Sequence, residues 1–111
     1  MGGSQSTPEA AAFVQNAINT NDITIFSKTY CPYCHQAKQV LTSVGAKYVV
    51  IELDERSDGA AIQSALQELT GRSTVPNVFV KTTTIGGGSD VAKLKSEGKL
   101  VPLLKDAGVL A

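Results

Sequence analysis

The hydrophobic pattern of this chain switches between a helical period and short continuous runs. Thr7-Pro8-Glu9 reads as a helix start, with Thr7 as N-cap, Pro8 at the first position and an acid in the first turn. Phe13, Val14, Ala17 and Ile18 form its apolar stripe, and Asn19-Thr20-Asn21-Asp22 ends it. Ile23-Thr24-Ile25-Phe26-Ser27 reads as a buried strand. Beyond Cys31-Pro32-Tyr33-Cys34, the residues Ala37, Val40, Leu41 and Val44 recur at i, i+3, i+4, i+7, one face of a second helix that Gly45 stops. The near-continuous run Tyr48-Val49-Val50-Ile51-Glu52-Leu53 predicts a strand covered on both faces.

Ile62, Ala65, Leu66 and Leu69 predict a third helix closed by Thr70-Gly71. Asn77-Val78-Phe79-Val80 predicts a strand, which tolerates Pro76 because the ladder begins after it. Lys81-Thr82-Thr83 turns the chain into a short strand ending at Ile85, and Gly86-Gly87-Gly88 breaks it. Ser89 or Asp90 then caps a last helical region. Its Leu94, Leu100, Leu103, Leu104 and Ala107 face the core, with a break at Gly98 and a cap before Pro102.

The order is αβαβαββα. Strands joined through helices pair in parallel, and strands joined by a tight turn pair antiparallel. The expected class is therefore α/β, a four-stranded mixed sheet flanked by helices on both faces.

Composition narrows the picture. A chain of 111 residues accommodates one core, so residues 7–111 are expected as a single domain and residues 1–6, small and polar, as a disordered N-terminus. The 10 basic and 10 acidic side chains cancel, which gives nucleic acid or an anionic membrane nothing to grip. No apolar run approaches a membrane span, there is no signal-peptide pattern, and the first arginine is Arg56, against an Arg-rich transit peptide. The expectation is a soluble, cytoplasmic monomer. Met1-Gly2-Gly3-Ser4-Gln5-Ser6 also fits the short pattern for myristoylation of Gly2, though a flexible start explains it as well.

The chain has two cysteines, Cys31 and Cys34, at the strand-to-helix junction. In a reducing compartment such a pair points to catalysis or metal binding rather than to a structural staple. At the N-terminus of a helix, unpaired N–H groups and the helix dipole favour a thiolate, and Lys28 adds a nearby cation. Cys31 is accordingly expected as the nucleophile and Cys34, one turn inside, as the resolving thiol. Spacing i, i+3 brings their Cβ atoms to about 5–6 Å, close enough for a disulfide after a small adjustment. Tyr33 is either a solvent-facing turn residue or a wall of the substrate site. Cys31-x-x-Cys34-His35 also fits covalent haem attachment, but without a secretory signal His35 is more simply an exposed helix residue. A zinc site lacks ligands, since one C-x-x-C supplies two where four are usual.

Ser27-Lys28-Thr29-Tyr30-Cys31-Pro32-Tyr33-Cys34, Thr74-Val75-Pro76 and Gly86-Gly87-x-Ser89-Asp90, in that order, resemble a dithiol glutaredoxin of the Cys-Pro-Tyr-Cys class. The resemblance runs from about Thr7 to the end. It implies a thioredoxin fold and a glutathione-dependent thiol–disulfide oxidoreductase that reduces protein–glutathione mixed disulfides and protein disulfides, with glutathione as co-substrate and no metal. It further implies that Cys31 carries the mixed disulfide, that Val75 before a cis-Pro76 pairs its backbone with the peptide, and that Thr74 and Tyr33 border the groove. Lys28 and Gln63 would hold the glycine carboxylate; Gly87, Ser89 and Asp90 would hold the γ-glutamyl end. Taken alone, Gln63 is an exposed helix residue and Asp90 a helix cap.

Two alternatives come with the resemblance: a glutathione-ligated iron–sulfur cluster bridging two chains, and thioredoxin, whose motif normally carries a Trp that this chain lacks. Three positions depart from the family pattern. Ser73 stands where Arg often precedes Thr-Val-Pro, with Arg72 displaced by one. Gly88 stands where Cys is frequent. Lys81-Thr82 replaces a Gly-containing turn, and β-branched Thr82 disfavours positive φ, so a different turn is expected there.

Overall fold

The computed structural model describes residues 5–111; the candidate myristoylation site Gly2 and most of the N-terminal segment expected to be disordered lie outside the described residues. Helix α1 covers Pro8–Thr20, and Thr7 caps it as expected, its hydroxyl accepting the Ala10 N–H at 3.0 Å. Strand β1 (Ile23–Ser27) leads into helix α2 (Pro32–Ser43), and strand β2 (Val49–Glu52) into a 3₁₀ turn at Leu53–Glu55 and helix α3 (Gly59–Thr70). Strands β3 (Asn77–Val80) and β4 (Thr83–Gly86) form a hairpin. The last helical region is two helices, α4 (Gly88–Ser96) and α5 (Leu100–Asp106), parted at Gly98, which adopts φ 71.

The sheet runs β2-β1-β3-β4, with β1 parallel to β2 and antiparallel to β3, and β3 antiparallel to β4. Strand β1 is buried along its whole length because it lies inside the sheet with helices on both faces. Its alternating side chains feed two cores. Phe26 joins Val14, Ile18, Ile62, Leu66 and Phe79 under α1 and α3, meeting Phe79 edge-on at a ring-centroid distance of 5.7 Å. Ile23 and Ile25 join Ala37, Leu41, Val78, Val91, Leu100 and Leu104 under α2, α4 and α5.

Three expectations are corrected. Strand β2 is an edge strand with a single neighbour, so it is half-covered rather than buried on both faces, and Val49 is 39% exposed. Leu69 is exposed, at the rim of a shallow hollow between α1 and α3 rather than in the seam. The cap of α4 is Gly87, not Ser89 or Asp90. In the β3–β4 hairpin the positive φ falls on Lys81 (54°), whose N–H and Nζ both bond Asp22 at 2.7 Å. Among the described residues, no helix is long and apolar enough to cross a membrane.

Candidate active site

The β1–α2 junction sets the two sulfurs in opposite surroundings. Cys31 is the N-cap of α2; its backbone is extended and its Sγ accepts the Cys34 N–H at 3.4 Å. Pro32, at the first helical position, has no N–H to leave unpaired. Cys31 is half-buried and Cys34 fully buried, and both are free thiols. Burial pushes the Cys34 thiol up from its ordinary value, partly opposed by the Lys28 N–H, which donates to its Sγ at 3.5 Å, and by the Ser27 hydroxyl. The thiol one turn inside the helix is thus held protonated, as the sequence implied.

The loop carrying Cys31 is pinned from two sides. Asp54 Oδ1 accepts the Thr29 N–H at 3.0 Å, and Asp54 Oδ2 accepts the Thr29 hydroxyl. The Thr29 hydroxyl, more than any other group, holds the Asp54 carboxyl below its ordinary range. His35 Nε2 lies 2.8 Å from the Thr29 carbonyl. A carbonyl can only accept, so this bond places the proton on Nε2. The parallel register brings these groups together: Ser27 pairs with Glu52, so Thr29 and Asp54 each lie two residues beyond the last registered pair.

Opposite Cys31, the Val75–Pro76 peptide is cis, and the Cys31 thiol donates to the Val75 carbonyl at 3.7 Å. The buried Asn77 steadies this segment, donating to Thr70 Oγ1 at the end of α3 and accepting from Thr84 Oγ1 in β4. A cleft of about 360 Å³ lies between Val75–Pro76 and the start of α4. Tyr33, Thr74, Val75, Pro76, Gly87 and Ser89 line it, together with Arg72 and Gly88. Tyr33 is 61% exposed and forms a wall of that cleft. The glycines permit the close approach of α4: a Cβ on Gly88 would lie 2.5 Å from the Tyr33 carbonyl oxygen, and one on Gly87 2.7 Å from Arg72 Nη1.

Asp90 borders the cleft through its partners. Its Oδ2 accepts the Gly87 N–H at 2.8 Å and Arg72 Nη2 at 2.9 Å. It therefore does part of the capping expected of it, reaching back to the N-cap residue from the third helical position.

Two of the residues expected to bind glutathione, Gln63 and Lys28, neither line the cleft nor bond a side chain that does. Gln63 donates through Nε2 to the Ser73 carbonyl and lines a separate hollow of about 550 Å³. Lys28 is not among the lining residues, and its charge acts on Asp54. Sequence reasoning left the contact of Arg72 open and passed over Asp54. The first follows from no local pattern; the second was implicit in the parallel pairing of the first two strands. Among the described residues, no cluster of three or more His, Cys, Asp or Glu side chains is gathered.

A C-x-x-C at the β1–α2 junction, facing a cis-proline at the start of an antiparallel strand in a four-stranded mixed sheet, defines a dithiol protein of the thioredoxin fold. Solved structures agree: a buckwheat glutaredoxin–glutathione complex superposes with TM-score 0.85 at 45% identity, covering 95% of this chain and 99% of that one. Oxidized glutaredoxin 2 from Chlamydomonas reinhardtii gives TM-score 0.89 at 43% identity, with coverage of 96% and 100%. The glutaredoxin family model matches residues 23–85. Glutaredoxin-C1 of Arabidopsis thaliana is 50% identical over 99% of this chain and 90% of its own length. The chain belongs to the glutaredoxin family and is a thiol–disulfide oxidoreductase.

Proposed function

We propose that this chain reduces glutathione mixed disulfides of proteins with glutathione as the electron donor. The observation that carries the reading is that Val75, whose carbonyl accepts the Cys31 thiol, lines a cleft that reaches the start of α4. A buckwheat relative of 45% identity has been solved with glutathione. In the proposed cycle the Cys31 thiolate attacks the glutathionyl sulfur, forming the Cys31–glutathione disulfide, and the protein leaves as a thiolate that takes up a proton. A second glutathione thiolate then attacks the glutathionyl sulfur, departs as glutathione disulfide and restores the Cys31 thiolate. With protein disulfides the first attack leaves the substrate bound to Cys31. Cys34, deprotonated as it attacks Cys31, then displaces it, and two glutathiones reduce the resulting intramolecular bond.

In this reading the Val75 backbone pairs with the tripeptide as an added strand, flanked by Thr74 and Tyr33. Gly87, Ser89 and Asp90 take the γ-glutamyl end, and Lys28 and Gln63 take the glycine carboxylate. Neither of the last two lines the cleft, and the Gln63 amide nitrogen keeps a second N–H after bonding Ser73. The cycle fits a monomer working where glutathione is kept reduced, as in the cytosol.

Turnover of a cysteine–glutathione mixed disulfide, with glutathione or with thioredoxin plus its reductase as donor, tests the proposal. Rapid turnover with glutathione supports it. Turnover sustained by the reductase system alone overturns it.

A further inference from the structure

Arg72 and Asp90 come from distant parts of the chain and meet beside Gly87, where Arg72 lines the cleft. The guanidinium Nη2 lies 2.9 Å from Asp90 Oδ2, and Nη1 donates to Thr74 Oγ1 at 3.3 Å. Asp90 Oδ2 also takes the Gly87 N–H, so the carboxylate is fixed from two directions. Room for the pair comes from two missing side chains. A Cβ on Gly87 would lie 2.7 Å from Arg72 Nη1, and one on Gly86, which adopts φ 105, would meet the Asp90 carboxylate. Arg72 uses one N–H on each partner, and the guanidinium keeps further donors on the cleft wall.

One cation and one anion side by side form a neutral, dipolar wall. A ligand end bearing only a carboxylate would be attracted by Arg72 and repelled by Asp90; one bearing only an ammonium would meet the reverse. A group with both charges on one carbon satisfies both, carboxylate to guanidinium and ammonium to Asp90. We infer that Arg72 is a specificity-determining residue, binding the α-carboxylate of an α-amino-acid head group whose ammonium meets Asp90. This rests on the glutathione reading above, since the γ-glutamyl end of that tripeptide is such a head group. It assigns Arg72 a role that its displaced position had left open. A charge-assisted bond from a half-exposed guanidinium is worth about a tenfold preference.

The test is a cycle of two enzymes and two substrates, read as kcat/KM with glutathione as donor throughout. The substrates are the mixed disulfides of cysteine with glutathione and with 4-aminobutyryl-cysteinylglycine, which keeps the ammonium and lacks the α-carboxylate. Wild type is expected to prefer the first by about tenfold. Arg72→Gln is expected to lose about tenfold on the first alone, abolishing the preference, while Arg72→Lys retains part of it. An Arg72→Gln variant that still discriminates as wild type does, that falls equally on both substrates, or that gains on glutathione overturns the inference. Circular dichroism confirms that each variant is folded. Wild-type turnover of both substrates without preference defeats this inference alone; turnover of neither defeats the glutathione reading.

Discussion

Cys31 and Cys34 lie three positions apart, yet their surroundings differ as those of a half-buried and a core residue do. Cys31 ends a loop and caps a helix, half-buried, with its sulfur between the Cys34 N–H and the Val75 carbonyl. Cys34 is sealed under the first turn of α2, and burial pushes its thiol up. One helical turn suffices because a helix start exposes its N-cap and turns the third residue inward. The difference teaches that a dithiol motif need not hold two equivalent thiols: one is accessible and one is buried, which suits the attacking and resolving roles proposed for them.

The largest test of that division is replacement of each sulfur. Cys31→Ser should lower mixed-disulfide turnover by about 10³-fold or more, as loss of a covalent nucleophile does. Cys34→Ser should retain that turnover within about threefold and lose reduction of protein disulfides. Comparable loss in both variants, measured by single turnover, would erase the distinction between the two thiols.

Next in size is the contact that closes α4 onto the turn between the cysteines. Gly88→Ala would set a methyl 2.5 Å from the Tyr33 carbonyl oxygen, and backbone cannot yield cheaply there. A loss of about 1–3 kcal/mol in urea unfolding is expected, as for overpacked sites. Unchanged stability would mean that the turn moves freely.

A smaller effect is the alkaline behaviour of Cys34. Its thiol is raised above the ordinary 9.0 in the fold, so its contribution to stability is full below about that pH and is lost as pH rises through the folded value. Stability of the wild type should therefore fall above pH 9 more steeply than that of Cys34→Ser. In the Cys31→Ser background, alkylation of Cys34 by iodoacetamide, followed by mass, should stay slow through neutral pH. Fast, pH-independent labelling at neutral pH would contradict a protonated, sealed thiol.

The smallest expected effect concerns Asp54, which holds the loop of Cys31 through Thr29. Its carboxyl is depressed below the ordinary 3.8, so the stability it contributes is present above that value and lost as pH falls through the folded one. Asp54→Asn should flatten the acid limb of the unfolding curve while leaving the alkaline limb intact. An unaltered acid limb would remove the Thr29 clamp from the account.

Much of the frame was legible in the residues, because the signals are local. Thr7 before Pro8 caps α1, Gly71 stops α3 in the left-handed conformation, and the periods of α1, α2 and α3 mark their buried faces. The junction carrying Cys31 followed from a strand-like run meeting a helical one, and the unequal cysteines followed from the junction. The composition of the cleft did not follow in the same way; Thr74-Val75-Pro76 and Gly87-Ser89-Asp90 entered through resemblance, and neither motif by itself says that it faces Cys31.

Tertiary structure alone decided what depends on neighbours. An apolar run shows that side chains are suited to burial, but only the strand order makes β2 an edge and leaves Val49 exposed. The stripe of α3 includes Leu69, yet that residue ends at the rim of the hollow beside α1. Arg72 and Asp90 are 18 residues apart and meet only because the β3–β4 hairpin returns the chain to the cleft, where glycines at 86 and 87 leave space for them. Periodicity and capping are properties of a short stretch of chain. An ion pair beside a cleft is a property of the folded whole.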